Sequence, residues 1–337
     1  MRKLCVIPGD GIGQEVIPAA AQVLEKVMPD IQFINAQAGW SCFQQHGDSV
    51  PRETLEIIEE TGAALFGAVS SPSYKVDGYQ SAILKMRKAF NLYANIRPVN
   101  SIFSDQTKQN VDMIIVRENT EGLYIREESI ENGIAVAKRI ISERGSTRIG
   151  QKAIDLCQDL NRERLTIIHK ANVLPVTDGL FLNTITELFK GNPASEQLVL
   201  KTTLVDAAAL EIIQKPENFD VIVTTNMFGD ILSDLASYWC GGLGVAPSIN
   251  LGDFAAIAEP VHGSAPDIAG LNIANPIAAI LSAALLLKFH WQEISAAESI
   301  ENAVQSVIHK SPMLSNGKLQ KGFSTSDITK EIINNLY

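Results

Sequence analysis

The sequence predicts an α/β fold with a largely parallel sheet, divided into two lobes. Short apolar runs alternate along the chain with stretches whose apolar residues recur at every third or fourth position, the pattern of strands joined by helices. The chain has 337 residues, 46% of them hydrophobic and 20% charged, enough apolar surface for a core and enough to exclude wholesale disorder. A chain of this length is better served by two cores than by one.

Lys3–Ile7 reads as the first strand, ended by Pro8-Gly9-Asp10. Ile12–Val27 reads as a helix, and Arg52–Glu60 as a second that leads into the strand Ala63–Val69. Ile83–Ala89 is helical. Met113–Arg117, Leu165–His169, Leu198–Val205, Val221–Thr225 and Ala255–Glu259 are further strands, with helices at Val173–Phe189 and Ala207–Gln214 between them. Asn95-Ile96-Arg97-Pro98 ends in a proline and predicts a turn or crossing. Gly241–Gly244, followed by Pro247, predicts a second flexible stretch. These two points suggest one lobe from residues 1–98 with 250–337, and another from 99–249. There is no internal repeat and no low-complexity tract.

Lys and Arg number 28 against 38 Asp and Glu, a formal net charge of −10, which argues against general nucleic-acid binding. The longest apolar run, Ile277–Leu287, is well short of the roughly 20 residues that span a bilayer. It predicts a core helix, and the N-terminus does not read as a signal peptide. Cys5, Cys42, Cys157 and Cys240 are dispersed, with no CxxC pair, as expected of reduced thiols in a cytoplasmic protein.

Five motifs carry candidate chemistry. Gly9-Asp10-Gly11-Ile12-Gly13 sits between a strand and a helix, but G-x-G-x-G is not the G-x-G-x-x-G dinucleotide fingerprint, and a tight turn is the simpler reading. Asp230 and Asp234 lie four residues apart on a predicted helix, hence on one face. With no Lys or Arg nearby in sequence, they suit Mg²⁺ or Mn²⁺, or else a solvated face. Asp206 ends a strand, where α/β proteins place ligands. Arg87, Arg97 and Arg117 would grip carboxylates if they converged. Lys170, at the end of a buried strand, suits proton transfer with Tyr124, or simply reaches solvent. The loop Glu259–Gly270, then Asn275, combines His, Gly, Ser and Asp in a form that embraces a nucleotide. An Asp near the adenosine ribose favours a free 2′-hydroxyl over a 2′-phosphate.

Occurring together and in one order, LYANIRP, VRENTEGLY, HKANVLPVTDGLF, NMFGDILSDLAS, GGLGVAPS and EPVHGSAPDIAG-LNIANP resemble the β-decarboxylating dehydrogenases of isocitrate, homoisocitrate, 3-isopropylmalate and D-malate or tartrate. The resemblance covers nearly the whole chain. It implies the two-domain isocitrate/isopropylmalate dehydrogenase-like α/β fold, not the usual Rossmann arrangement. The terminal lobe would hold the cofactor. The middle lobe would hold substrate, metal, dimer contacts and a short arm. It further implies a homodimer with shared active sites, and leaves open whether dimers pair into tetramers.

By the same resemblance Arg87, Arg97 and Arg117 bind the malate-like carboxylates, and Tyr124 is the acid that protonates the enolate. Lys170 is the general base or its relay, contributed with Asp206 by the other subunit, and Asn172 joins the substrate set. Asp206, Asp230 and Asp234 hold Mg²⁺ or Mn²⁺. Glu259, His262, Gly263, Ser264, Ala265, Asp267, Ile268 and Asn275 hold the cofactor. Asp267-Ile268 stands where relatives that use NADP have a Lys-Tyr pair, which implies NAD.

The segment before Arg87 bears on the substrate. Isocitrate enzymes resemble S-x-N-x-x-x-R here, whereas this chain has Ser81 but Ile83 in place of the Asn. Ile83 and Leu84 resemble the apolar pair that meets the isopropyl group in isopropylmalate enzymes. Ser70-Ser71-Pro72, ENTEGLY and KANVLPVTDGLF resemble the isocitrate and homoisocitrate branch, where Ser71, Ser73, Tyr74, Lys75 or Ser81 would supply polar contacts to a carboxylate arm. The tricarboxylate branch is the expectation, with 3-isopropylmalate or D-malate as the alternative. A non-catalytic regulatory subunit is the alternative of another kind, although all eight expected catalytic and binding residues are in place.

Overall fold

Short apolar runs account for most of the strands. In chain order they are β1 (Lys3–Gly9), β2 (Gln32–Asn35), β3 (Ala63–Ala68), β4 (Ala94–Asn100), β5 (Asp112–Glu118), β6 (Glu128–Glu131), β7 (Ile134–Ala137), β8 (Arg164–His169), β9 (Val199–Leu204), β10 (Val221–Thr224), β11 (Pro247–Leu251), β12 (Ala256–Pro260), β13 (Leu314–Ser315) and β14 (Lys318–Leu319). This computed structural model describes residues 1–72, 74, 76–102, 110–315 and 317–336. Two units emerge, one gathering the chain from Met1 to Leu92 and from Ser237 onward, the other Tyr93–Asn100 with Asn110–Ala236.

In the first unit the strand order is β2-β1-β3-β12-β11. β1 runs parallel to β2 and β3, β12 parallel to β3, and β11 antiparallel to β12. β3 is buried along its whole length, as a strand covered on both faces must be. The helix Gly13–Val27 turns Val16, Ile17, Ala20, Val23 and Leu24 into the core, and packs against the apolar helix Ile277–Leu286. The latter is core, as its sequence predicts.

The turn between β1 and the first helix is a tight one. Gly9 and Gly11 have φ of +76° and +56°, and a Cβ on Gly9 would stand 2.1 Å from the Ala68 carbonyl oxygen. Asp10 lies buried in this turn. Its carboxylate accepts the backbone N–H groups of Trp40 (2.7 Å), Ser41 (3.0 Å) and Ser70 (2.9 Å), which ties three segments together.

In the second unit the order is β4-β5-β10-β8-β9, with β5, β10, β8 and β9 mutually parallel along the series and β4 antiparallel to β5. β6 and β7 form a separate hairpin whose residues are all exposed, Ile130, Ile134 and Val136 among them.

Asn95–Pro98 is not a turn but part of β4, with Pro98 opposite Ile114. The bias of a residue before proline toward extended backbone suits a strand as well as a turn. The helix predicted to start at Val173 starts at Thr177, because Pro175 stands in its way.

Replacing Asp10 by Ala leaves three part-buried N–H groups without their acceptor. The expected cost is roughly 2–4 kcal/mol of stability, read as a lower urea midpoint at unchanged slope.

Candidate active site

Glu118 begins the turn that carries Tyr124. Buried at the end of β5, its carboxylate accepts the N–H groups of Thr120 (3.0 Å) and Glu121 (2.8 Å), and desolvation raises its pKa. Glu121 in turn accepts the N–H of Ser142 at 2.8 Å. Gly122, with φ of +79°, then opens the short 3₁₀ turn Leu123–Ile125.

The Tyr124 hydroxyl donates to Asp230, and its ring lies under the Arg117 guanidinium at 5.1 Å. Arg117 donates to Asp230 Oδ1 at 2.5 Å, and to Asn226 Oδ1 from Nη2 at 2.8 Å and from Nε at 3.1 Å. Arg97, on β4, donates to Asn95 Oδ1 (2.6 Å), Ser233 Oγ (2.6 Å), Asp230 Oδ1 (3.3 Å) and Asp234 Oδ1 (3.4 Å). Both guanidiniums are buried, while Asp234 is 55% exposed. Asp230 and Asp234 occupy successive turns of the helix Asn226–Cys240. Desolvation raises the Asp234 pKa; Arg97 pulls it back and Asp230 adds to the rise.

The two carboxylates, with no Lys or Arg nearby in sequence, are met by cations from elsewhere in the chain. Arg97 and Arg117 reach them from β4 and β5, distant in sequence but adjacent in the sheet. Asn95, Asn226 and Ser233 are members of this cluster that sequence reading missed. The signal for Asn226 is its place at the start of a helix four residues ahead of Asp230.

Lys170 follows β8, and its Nζ pairs with Asp206 on the helix Val205–Gln214. Asp206 is 65% exposed, and the hydrogen bond from Lys170 holds its pKa below the usual carboxylate range. Asn172 is exposed beyond it. Among the described residues no three His, Cys, Asp or Glu side chains are gathered to hold a metal ion, so Asp206 does not join Asp230 and Asp234 within one chain.

In the first unit Arg87 is buried. It donates to Glu259 Oε1 at 2.8 Å and to Asn250 Oδ1 at 3.1 Å, and Asn250 donates to the same Glu259 oxygen. Glu259 thus pairs with Arg87 near the end of β12, just ahead of the His262 loop. Ser81 caps the helix Ala82–Ala89 without a side-chain hydrogen bond. Leu84 is half-buried, Ile83 packs against the hydrophobic core, and Lys85 is held by Asp48 and the Val50 carbonyl. Ser71 and Tyr74 are exposed, whereas Ser73 and Lys75 lie outside the described residues.

A cleft of about 570 Å³ opens in this unit, lined by Ile12, Gly242, His262, Ile268, Asn275 and Lys321 among others. His262 Nδ1 meets the Gly263 carbonyl at 3.0 Å, while its Nε2 is buried with no partner. Burial lowers the His262 pKa. Ser264 is buried and bonded to Ser70, Ala265 has φ of +38°, Asp267 and Gly263 are exposed, and Asn275 donates to the Gly317 carbonyl at 2.9 Å.

A profile of the isocitrate/isopropylmalate dehydrogenase family matches residues 3–332. The chain belongs to this family. It is 50% identical over 310 residues to the isocitrate/homoisocitrate dehydrogenase of Thermus thermophilus, covering 92% of each chain. It is 44% identical over 346 residues to the homoisocitrate dehydrogenase of Methanocaldococcus jannaschii, covering 99% of this chain and 97% of the other. The 3-isopropylmalate dehydrogenase of Methanothermobacter thermautotrophicus is 46% identical over 307 residues, with 91% and 90% covered. The crystal structure of isocitrate dehydrogenase from Methylococcus capsulatus superposes with a TM-score of 0.94 at 38% identity, over 100% of this chain and 99% of that one. The protein is a β-decarboxylating dehydrogenase, with the fold its sequence predicts.

Two features of this dehydrogenase fit the groups its family uses. The unpartnered His262 Nε2 in the cleft fits a nucleotide base. The paired carboxylates of Asp230 and Asp234 supply the hard oxygen donors a divalent cation prefers, as half of a site.

Removing Lys170 should let Asp206 titrate closer to an ordinary carboxylate. Because its folded-state pKa is depressed, the pair's contribution to stability is present at neutral pH and is lost as pH falls through that lowered value. A carboxyl-resonance titration of the wild type against Lys170→Ala checks this. A rise in the Asp206 midpoint is expected.

Proposed function

We propose that the protein catalyses the NAD-dependent, Mg²⁺- or Mn²⁺-dependent oxidative decarboxylation of homoisocitrate or isocitrate, as a homodimer in which each site draws on both copies. The convergence of Arg97, Arg117 and Tyr124 on Asp230 carries this reading. It gathers two carboxylate-binding guanidiniums, a hydroxyl donor and candidate metal ligands in one cluster.

In this reading the unit made of the two chain ends binds NAD, through His262, Gly263, Ser264, Ala265, Asp267, Ile268 and Asn275. The middle unit binds substrate and metal. Asp230 and Asp234 of one copy hold the cation with Asp206 of the other. When bound, the cation acts as a Lewis acid at the hydroxyl and enolate oxygens, and the nicotinamide is the oxidant.

The chain's own groups do the rest. Arg87, Arg97 and Arg117 fix the carboxylates, already oriented by Glu259, Asn95 and Asn226. Lys170 of the second copy takes the proton of the substrate's hydroxyl. Once CO₂ has left, Tyr124 returns a proton to carbon. Asp267, exposed beside Ile268, would repel a 2′-phosphate.

Pairing of copies is supported by the apolar side chains that the middle unit exposes. Val173, Val176, Leu210 and Ile231 are all more than half exposed, along with the β6–β7 hairpin. The four buried free cysteines support a reducing, cytoplasmic setting. Burial pushes the thiols of Cys5 and Cys157 up to about 12.

For the substrate, Ile83 and Leu84 are both half-buried, with Ile83 packed against the margin of the core. The test is NADH formation with Mg²⁺ or Mn²⁺ across isocitrate, homoisocitrate, 3-isopropylmalate and D-malate, repeated with NADP. Turnover of the tricarboxylates with NAD is expected. Turnover of 3-isopropylmalate alone would make Ile83 and Leu84 the specificity residues and overturn the substrate assignment.

A further inference from the structure

Asp178 is fully buried, yet it is a carboxylate. One oxygen accepts the backbone N–H of Lys170 at 2.6 Å, and the other pairs with the Arg139 guanidinium at 2.5 Å. Arg139 also donates to Thr177 Oγ1 at 2.7 Å and to Thr225 Oγ1 at 3.3 Å, and it lies over the Phe228 ring at 5.6 Å. Thr225 and Phe228 flank the start of the helix that bears Asp230 and Asp234. The loop after β8 is pinned once more where the Ala171 N–H donates to His169 Nδ1 at 3.1 Å.

A buried ion pair is weak evidence for stability, because desolvation offsets most of its attraction. Its value here is geometric, since it fixes the main chain of Lys170 against the helix that carries the acidic pair. Arg139 lies two residues beyond the hairpin that ends at Ala137, and its guanidinium joins the Lys170 loop, through Asp178, to the start of the acidic helix.

We propose that Arg139 and Asp178 are a positioning pair for Lys170, acting through its backbone and touching no substrate. The kinetic part rests on the proton-transfer reading of Lys170; the geometric part does not. The test uses Asp178→Asn and Arg139→Lys in the full-length protein, with two readouts.

The first readout is the rate at which acetic anhydride labels the Lys170 amine, followed by peptide mass spectrometry against the exposed Lys310 as internal reference. Held by its loop and by Asp206, Lys170 is expected to label slowly in the wild type, and several-fold faster in both variants. The second is steady-state kinetics on the best substrate. A misplaced base lowers kcat by about 10- to 100-fold, with KM changed by no more than about threefold.

A Lys170 labelling rate or a kcat unchanged in a cooperatively folded variant would overturn the proposal. If Asp178→Asn does not fold, Arg139→Lys and Thr225→Val decide. If the wild type turns over no hydroxy acid, the proposed reaction fails and the labelling rates alone judge the positioning.

Discussion

Arg117 is 1% exposed, and a guanidinium cannot shed its charge to suit that depth. It must be neutralised where it lies, and much of the middle unit is arranged to do so. Asp230 supplies the charge and Asn226 caps the other edge of the fork. The Arg117 stem lies against the helix at Gly229, where a Cβ would stand 2.6 Å from Arg117 Cγ. The spacing Asn226, Gly229, Asp230 is therefore one side of a socket for this arginine. Once Asp230 is fixed, the Tyr124 hydroxyl has its acceptor and Arg97 has its partner. Asp234 follows one helical turn later, half in solvent.

What results within one chain is a pair of incomplete arrangements. The Arg97–Arg117–Tyr124–Asp230–Asp234 cluster has two acidic groups where a hard divalent cation asks for more oxygens. Lys170 and Asp206 form an exposed pair of their own. The proposed homodimer joins the first arrangement of one copy to the second of the other. An isologous two-fold pairing does this twice with a single interface. The exposed apolar side chains of the same unit give that interface its material.

The fold class was legible because its signal is periodicity. Strands such as Val221–Thr224 and helices such as Gly13–Val27 are announced by local apolar spacing. β4 was not, because Pro98 masks it, and the β6–β7 hairpin carries no buried face to leave a pattern. The residues of the site were legible one at a time, and as a set through the motifs that the chain shares with its family. Their electrostatic pairing was not. Arg97 and Asp230 are brought together by the antiparallel β4–β5 pairing and the parallel β5–β10 pairing, and no local spacing records either. The same holds for Arg87 with Glu259, and for Asp178, whose burial nothing in TDGLF foretells.

Sharing of the site between copies is tested most directly by mixing two inactive variants, Lys170→Met and Tyr124→Phe, by co-refolding. Each mixed dimer would then keep one site with both native residues. Random pairing at equal amounts should restore about a quarter of the wild-type activity, since half the dimers are mixed and each has one intact site. A mixture as inactive as its parents, with mixed dimers demonstrated by mass, would contradict a site built from two copies.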